Sequence, residues 1–274
     1  MSNVNQVGQK GSLIFLKLGG SLITDKFSPR TPRQEIIDRI SREITESRKK
    51  NPGIKIILGH GSGSYGHTSG KKHGTRNGVQ TKDEWIGFAE VWYDAASLNR
   101  IMLDTLHNAG LPVVGFPPSA SITTRDREII SWDLTPIKSA LENDLVPVIH
   151  GDVVFDLSLG GTILSTEDLF VHLASQFNPE RILLAGREPG VWEDYPDNKS
   201  ILSEITPVDL ASFEEIIESS GAPDVTGGME SKVKQMIQLV IQHPSMRTLI
   251  FSGEKPGLIK SVLAGETSGT MIHN

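Results

Sequence analysis

The sequence predicts an α/β fold, a three-layer αβα sandwich around a mainly parallel central sheet. Two observations carry it. Short apolar, β-branched runs alternate with stretches of helical period, the pattern of parallel strands joined by crossover helices. Glycine-rich turns follow the first two of these runs, where ligands of open α/β sheets bind.

In order, Leu13 to Leu18 is a first buried strand and ends in Gly19-Gly20-Ser21. Thr31-Pro32 opens a helix, since threonine is a preferred cap and proline suits the first helical position. Ile36, Ile37, Ile40 and Ile44 give that helix one apolar face. Ile54 to Leu58 is the second strand, followed by the glycine-rich stretch Gly59 to His67. Residues 69 to 80, rich in Gly, Lys and Ser, predict a mobile loop, and a long helix runs from Lys82 to Ala109. Pro112 to Phe116 and Val146 to His150 are further buried strands. Val153 to Leu164 alternates around Gly160-Gly161 and predicts a β-hairpin. A helix at Thr166 to Phe177 and a strand at Arg181 to Ala185 follow. Helices near Val208 to Ser219 and Gly228 to His243 precede a strand at Thr248 to Ser252. A short helix, Pro256 to Ala264, and a strand, Gly269 to Ile272, close the chain. Residues 1–11 are polar and are expected to be a disordered leader. The rest is expected to be one continuous domain with two lobes, 12–176 and 177–274.

Bulk properties narrow the function. The chain has 274 residues, no cysteine and a net charge of −6. Disulfides, thiolate catalysis and thiolate metal sites are excluded. The negative balance argues against a nucleic-acid binder or a membrane-surface protein. No apolar run reaches the roughly 18 residues a membrane span needs. A soluble, cytoplasmic protein is expected.

Three glycine-rich turns carry the chemistry: Lys17-Leu18-Gly19-Gly20-Ser21, Gly61 to His67, and Asp224-Val225-Thr226-Gly227-Gly228-Met229 leading to Lys232. Backbone N–H groups freed by glycine at a helix start bind anionic oxygens. The basic groups Lys17, Lys26, His67 and Lys232 add charge where phosphoryl transfer develops it. Each feature alone has an ordinary reading: a turn, a solvated lysine, a hydrogen-bonded histidine, a helix start. Their coincidence at strand ends points to a polyphosphate site. There is no G-x-x-x-x-G-K-[ST] and no protein-kinase motif set. Gly61 to Gly66 matches G-x-G-x-x-G, so a dinucleotide site is an alternative, but no acidic residue ends the next strand. No His/Asp/Glu cluster has metal-ligand spacing, and Mg²⁺ is expected to arrive with a nucleotide.

Leu16 to Ser21 with Ile23-Thr24-Asp25-Lys26 resembles the opening of the amino acid kinase superfamily. Within it, His60 to His67, Val146 to Val154, Asp224 to Met229 with Lys232, and Gly265-Glu266 with Gly269-Thr270 resemble motifs of the isopentenyl phosphate kinases, in the same order. His67 is what points to that branch and to its fosfomycin-kinase relative. The resemblance implies an amino acid kinase fold, ATP with Mg²⁺, a small phosphate acceptor and a homodimer. It makes 12–176 the acceptor-binding lobe and 177–274 the nucleotide-binding lobe. Lys17 and Lys232 would hold the ATP phosphates, with Gly19, Gly20, Ser21, Gly63 and Gly228 alongside. Lys26 would neutralise the group in transfer. His67 would hold the acceptor phosphate, with Ser62, Gly63, Gly66 and Thr166 beside it. Phe88 and Trp92, on the long helix, would line a pocket for a five-carbon tail. Gly186, Arg187 and Gly190 would lie at the nucleotide.

Two departures from the family stand out. Ser165-Thr166-Glu167-Asp168-Leu169 replaces S-G-D-D-L, so Glu167 is a methylene longer than the aspartate expected to orient the lysines. Gly186 to Val191 replaces T-D-V-D-G-V. Two further readings stay open: a kinase of another phosphate or phosphonate, and a weakly active ligand-binding relative.

Overall fold

The computed structural model describes residues 12–194, 197–209 and 226–274. The expected leader, the expected helix from residue 210 onward, and Asp224 and Val225 lie outside the described residues. The elements in chain order are β1 (Leu13–Leu18), α1 (Gly20–Ile23), α2 (Gln34–Lys50), β2 (Lys55–His60), α3 (Gly63–His73) and α4 (Lys82–Asn108). Next come β3 (Val113–Gly115), β4 (Ile122–Arg125), β5 (Glu128–Trp132), α5 (Thr135–Glu142), β6 (Val146–His150), β7 (Asp152–Asp156), β8 (Gly160–Leu164) and α6 (Thr166–Phe177). The remainder are β9 (Arg181–Gly186), β10 (Val191–Trp192), β11 (Ile201–Leu202), β12 (Glu204–Ile205), α7 (Thr226–Gln242), β13 (Arg247–Ser252), α8 (Leu258–Leu263) and β14 (Thr270–Ile272).

Eight strands form the central sheet in the order β12-β14-β13-β9-β1-β2-β6-β3. Every neighbouring pair is parallel except β13 with β14. β1 lies between β2 and β9, so the sheet continues unbroken across residue 176. Side chains alternate across a strand, and β1 sorts its residues accordingly. Ile14, Leu16 and Leu18 pack with Ile37, Ile40 and Ile44 of α2, Leu98 and Met102 of α4, and Val262 of α8. Phe15 faces the other way, among Phe170 and Leu173 of α6 and Val233 and Met236 of α7. The three-layer sandwich is therefore as expected, and Lys17, two residues from Phe15, points toward α6 and α7. A second sheet, β5-β4-β7-β8, includes the expected hairpin, with Val154 opposite Thr162 and Asp156 opposite Gly160.

Three local expectations change. Helix α2 begins at Gln34 with Arg33 as its cap. Pro32 forms a bridge with Thr24, and Thr31 donates to the Pro29 carbonyl, so the cap-like pair is used in the loop instead. Residues 69 to 80 are not a loop throughout, since α3 extends to His73 and a 3-10 turn, Thr75–Asn77, follows. Gly74 ends α3 in the left-handed region with φ +62°, whereas Gly70 and Gly87 serve close packing. A Cβ at Gly70 would lie 3.1 Å from Ile163, and one at Gly87 of α4 would lie 2.5 Å from the His73 ring. Residues 122–142 contribute β4, β5 and α5, none of which was expected from the sequence.

Candidate active site

The first two glycine turns interlock. A Cβ at Gly20 would sit 2.5 Å from the Gly63 nitrogen, and one at Gly61 would sit 2.8 Å from the Gly20 nitrogen. Gly63 also has φ +48°, a region open to glycine at little cost. Thr24 fastens the two turns: its hydroxyl donates to the Gly20 carbonyl at 2.8 Å and accepts the Ser64 N–H at 2.9 Å. Thr24 is fully buried. Nothing in its local sequence sets it apart from an ordinary threonine, because its partners come from two different turns. Ser62 stands immediately before α3 without a side-chain capping bond, and Gly66 packs back on it. Ser21 is exposed on the short α1.

Behind these turns lies the charge group. Lys17 forms a buried ion pair with Glu167, at the second position of α6. Burial by itself would raise the Glu167 carboxyl; Lys17 and Lys232 outweigh it and hold it below the ordinary carboxylate value. Lys232, on α7, is lowered by burial and by Lys17, against the pull of Glu167. The longer side chain at position 167 reaches Lys17 directly. His67, on α3, faces the same charges. His67 is an exposed residue. Desolvation there lowers its pKa first, then Lys17, Lys232 and Arg76, against Glu167. Three of the four expected basic groups therefore converge. Lys26 does not join them: it stands exposed on the loop after α1, whose shape Asp25 fixes by accepting from Phe27 N–H and the Ser28 hydroxyl, each at 2.9 Å.

Asp168 ties this group to its surroundings. It completes a capping box with Ser165, accepts from Gln235 of α7 at 2.8 Å, and lies 4.0 Å from Arg76. Thr166 is buried and donates its hydroxyl to the His60 carbonyl at 2.7 Å, so its oxygen is engaged within the protein. His60 is fully buried, 3.0 Å from the Asn99 amide oxygen, and stacks on His150. Burial pushes both imidazoles down to about 4, so both are neutral.

Next to α3 an apolar cluster unites Val79, Phe88, Val91 and Val153, with Trp85 and Ile163 against it. Phe88 is a buried member of this cluster. Trp92 is 44% exposed and outside it; Val91, one residue back, takes the inward position. Among the described residues, a Cβ at Gly186 or Gly228 would meet almost nothing, which leaves room beside the backbone. Gly190 differs: a Cβ there would lie 2.6 Å from the Thr270 hydroxyl, so packing accounts for it. Arg187 pairs with Glu254 at 3.1 Å. Among the described residues no group of three His, Asp or Glu side chains could hold a metal ion, and no helix is long and apolar enough to cross a membrane.

Glycine turns at strand ends with two lysines braced by a carboxylate define a phosphotransferase. Residues 12–252 match the amino acid kinase family. The isopentenyl phosphate kinase of Methanocaldococcus jannaschii is 34% identical over 95% of this chain and 98% of its own length. That of Methanothermobacter thermautotrophicus is 31% identical over the same shares. A solved structure described as an isopentenyl phosphate kinase is 29% identical with a TM-score of 0.80, covering 95% of this chain and 99% of its own. The chain belongs to the amino acid kinase family.

Proposed function

We propose that the protein transfers the γ-phosphoryl group of ATP to isopentenyl phosphate, giving isopentenyl diphosphate and ADP. The observation that carries this reading is the convergence of Lys17, Lys232 and His67 on Glu167, in a chain that spans nearly the whole length of isopentenyl phosphate kinases. An acceptor oxygen forms the new bond to the γ-phosphorus as the bond to the β-bridging oxygen breaks. The reaction asks for positioning and charge, and little covalent help.

Lys17 and Lys232 would hold nucleotide phosphates, with the N–H groups of the Gly19-Gly20-Ser21 turn and the open backbone at Gly186 and Gly228. ATP supplies the phosphoryl group, and Mg²⁺ arrives with it. His67 would hydrogen-bond the acceptor phosphate beside Ser62, Gly63 and Gly66. The cluster of Phe88, Val91 and Val153 would take the hydrocarbon tail, with no polar atom to satisfy. On this reading residues 12–176 are the acceptor lobe and 177–274 the nucleotide lobe. A cytoplasmic homodimer is part of the same proposal, tested by light scattering and fractionation.

Turnover of isopentenyl phosphate with MgATP, compared with other alkyl monophosphates and with phosphonates, tests the proposal. Isopentenyl phosphate is expected to give the highest kcat/KM. Turnover of a phosphonate alone would move the acceptor to the fosfomycin-kinase class. Binding without turnover of any acceptor would leave a ligand-binding relative.

A further inference from the structure

Glu167 pairs with Lys17 and so offsets one of the two lysine charges before any ligand arrives, while His67 is pushed toward its neutral form by burial and by Lys17. With Lys17 and Lys232 assigned to the nucleotide phosphates, a phosphate acceptor needs further positive charge.

Two arginines stand at the rim on separately braced backbone. Arg76 lies in the 3-10 turn that leaves α3, and its carbonyl accepts the Thr162 hydroxyl at 2.9 Å, which ties the turn to β8. Its guanidinium lies 4.0 Å from Asp168, close enough to be oriented and beyond hydrogen-bonding distance. Arg127 lies at the tip of the β4–β5 hairpin with φ +69°, beside Asp126 at φ +50°. Asp156 fixes that turn: it accepts N–H bonds from Asp126 and Arg127 at 3.1 and 2.8 Å, from Ser158 and Leu159, and the Thr124 hydroxyl. The turn is set before a ligand binds, and Arg127 has no ion-pair partner among the described residues. Arg127 is near enough to Arg76 to disfavour its charge, and Arg76 is near enough to His67 to lower it. Like charges held together at the mouth of an anion site are relieved by a dianion, which planar guanidinium groups bind through paired hydrogen bonds.

We propose that Arg76 and Arg127 clamp the acceptor phosphate opposite His67. The inference rests on the reading that the acceptor is a phosphate. Neither residue belongs to a motif, because the chain brings them together only through the hairpin and the turn after α3.

Steady-state kinetics on Arg76→Gln and Arg127→Gln test it, with Arg76→Lys and Arg127→Lys as charge-keeping controls. The acceptor KM is expected to rise about tenfold or more in each Gln variant, the scale of a lost charge-assisted hydrogen bond. The KM for ATP should stay within about twofold, and the Lys variants should recover part of the loss. An unchanged acceptor KM in both Gln variants, or an equal rise for ATP, overturns the clamp. If the wild type turns over no phosphate acceptor, the functional reading fails by itself. Calorimetric titration with inorganic phosphate then judges the clamp: weaker binding in the Gln variants keeps it, and equal binding removes it.

Discussion

Both faces of the eight-stranded sheet exclude water, yet they bury different things. The face under α2, α4 and α8 receives Ile14, Leu16 and Leu18 from β1 and is apolar along most of its length. The face under α6 and α7 receives Phe15 and then Lys17, a buried lysine. A buried charge is costly unless paired. Glu167 supplies the pair from the first turn of α6, where a carboxylate also suits the helix dipole. One face therefore stabilises, and the other holds charge ready at the end of a strand. Substitutions at adjacent residues of β1 should separate the two.

The largest effect is expected at the charged face. Lys17→Ala and Lys232→Ala should each lower kcat by about 10²–10³, the usual result of removing a positioned charge from a water-excluding site. Lys17→Ala also leaves Glu167 with one partner fewer, and breaking a buried pair costs about 3–5 kcal/mol. The double variant Lys17→Ala/Glu167→Ala should regain stability in urea unfolding without regaining activity. Recovery of both would show that the pair serves the fold alone.

On the opposite face, Leu16→Ala should cost about 2–5 kcal/mol of stability, since the side chain is fully buried in close-packed surroundings. Its KM values should match the wild type wherever the variant is folded. A changed KM for ATP would mean that the two faces are coupled through β1.

How much of this contrast was legible in the sequence depends on how local the cause is. The strand carrying Lys17 was readable because a lysine interrupts an apolar run, and Val146 to His150 was readable to the residue. Lys232 and His67 were readable from motif resemblance. Helix α3 was not, because Gly70 in a Gly-, Lys- and Ser-rich stretch read as flexibility, whereas here it lets α3 approach Ile163. The β4–β5 hairpin turns on Asp126-Arg127 with positive φ at both, and lacks the glycine that marks such turns. Val91 packs in the apolar cluster and Trp92 does not, a matter of helix phase against β7 and β8 that the local sequence leaves open. Thr24, Arg76 and Arg127 owe their place to tertiary contacts that no spacing encodes.

A smaller effect sharpens the comparison at the pocket. Phe88→Ala and Val91→Ala should extend turnover toward alkyl monophosphates longer than the five-carbon acceptor, because both lie in the apolar cluster beside α3. Trp92→Ala should leave chain-length preference unchanged. A shift in Trp92→Ala alone, read from kcat/KM across a chain-length series, would place the tail on the exposed side of α4.

The smallest effect concerns the polar end of the apolar face. There His60 and His150 are paired across β2 and β6, and both are held neutral, at about 4 against an ordinary 6.5. Between those values the unfolded chain binds two protons that the folded chain refuses, so stability should rise with pH across that window. Asp152, 3.6 Å from His150, works against this. Burial raises its carboxyl to about 6 from 3.8, so the folded chain keeps a proton that the unfolded one releases, and stability from this group falls as pH rises between those values. Where the two windows overlap, the histidines outweigh the aspartate by about one proton, and one proton corresponds to about 1.4 kcal/mol per pH unit. The urea midpoint should therefore climb from pH 4 to 6.5 and flatten above. His150→Phe removes one of the two refused protons while keeping a ring against His60. Its climb should be shallower than that of the wild type over the same window, and an identical slope would mean that His150 titrates in the folded protein as it does in the unfolded chain.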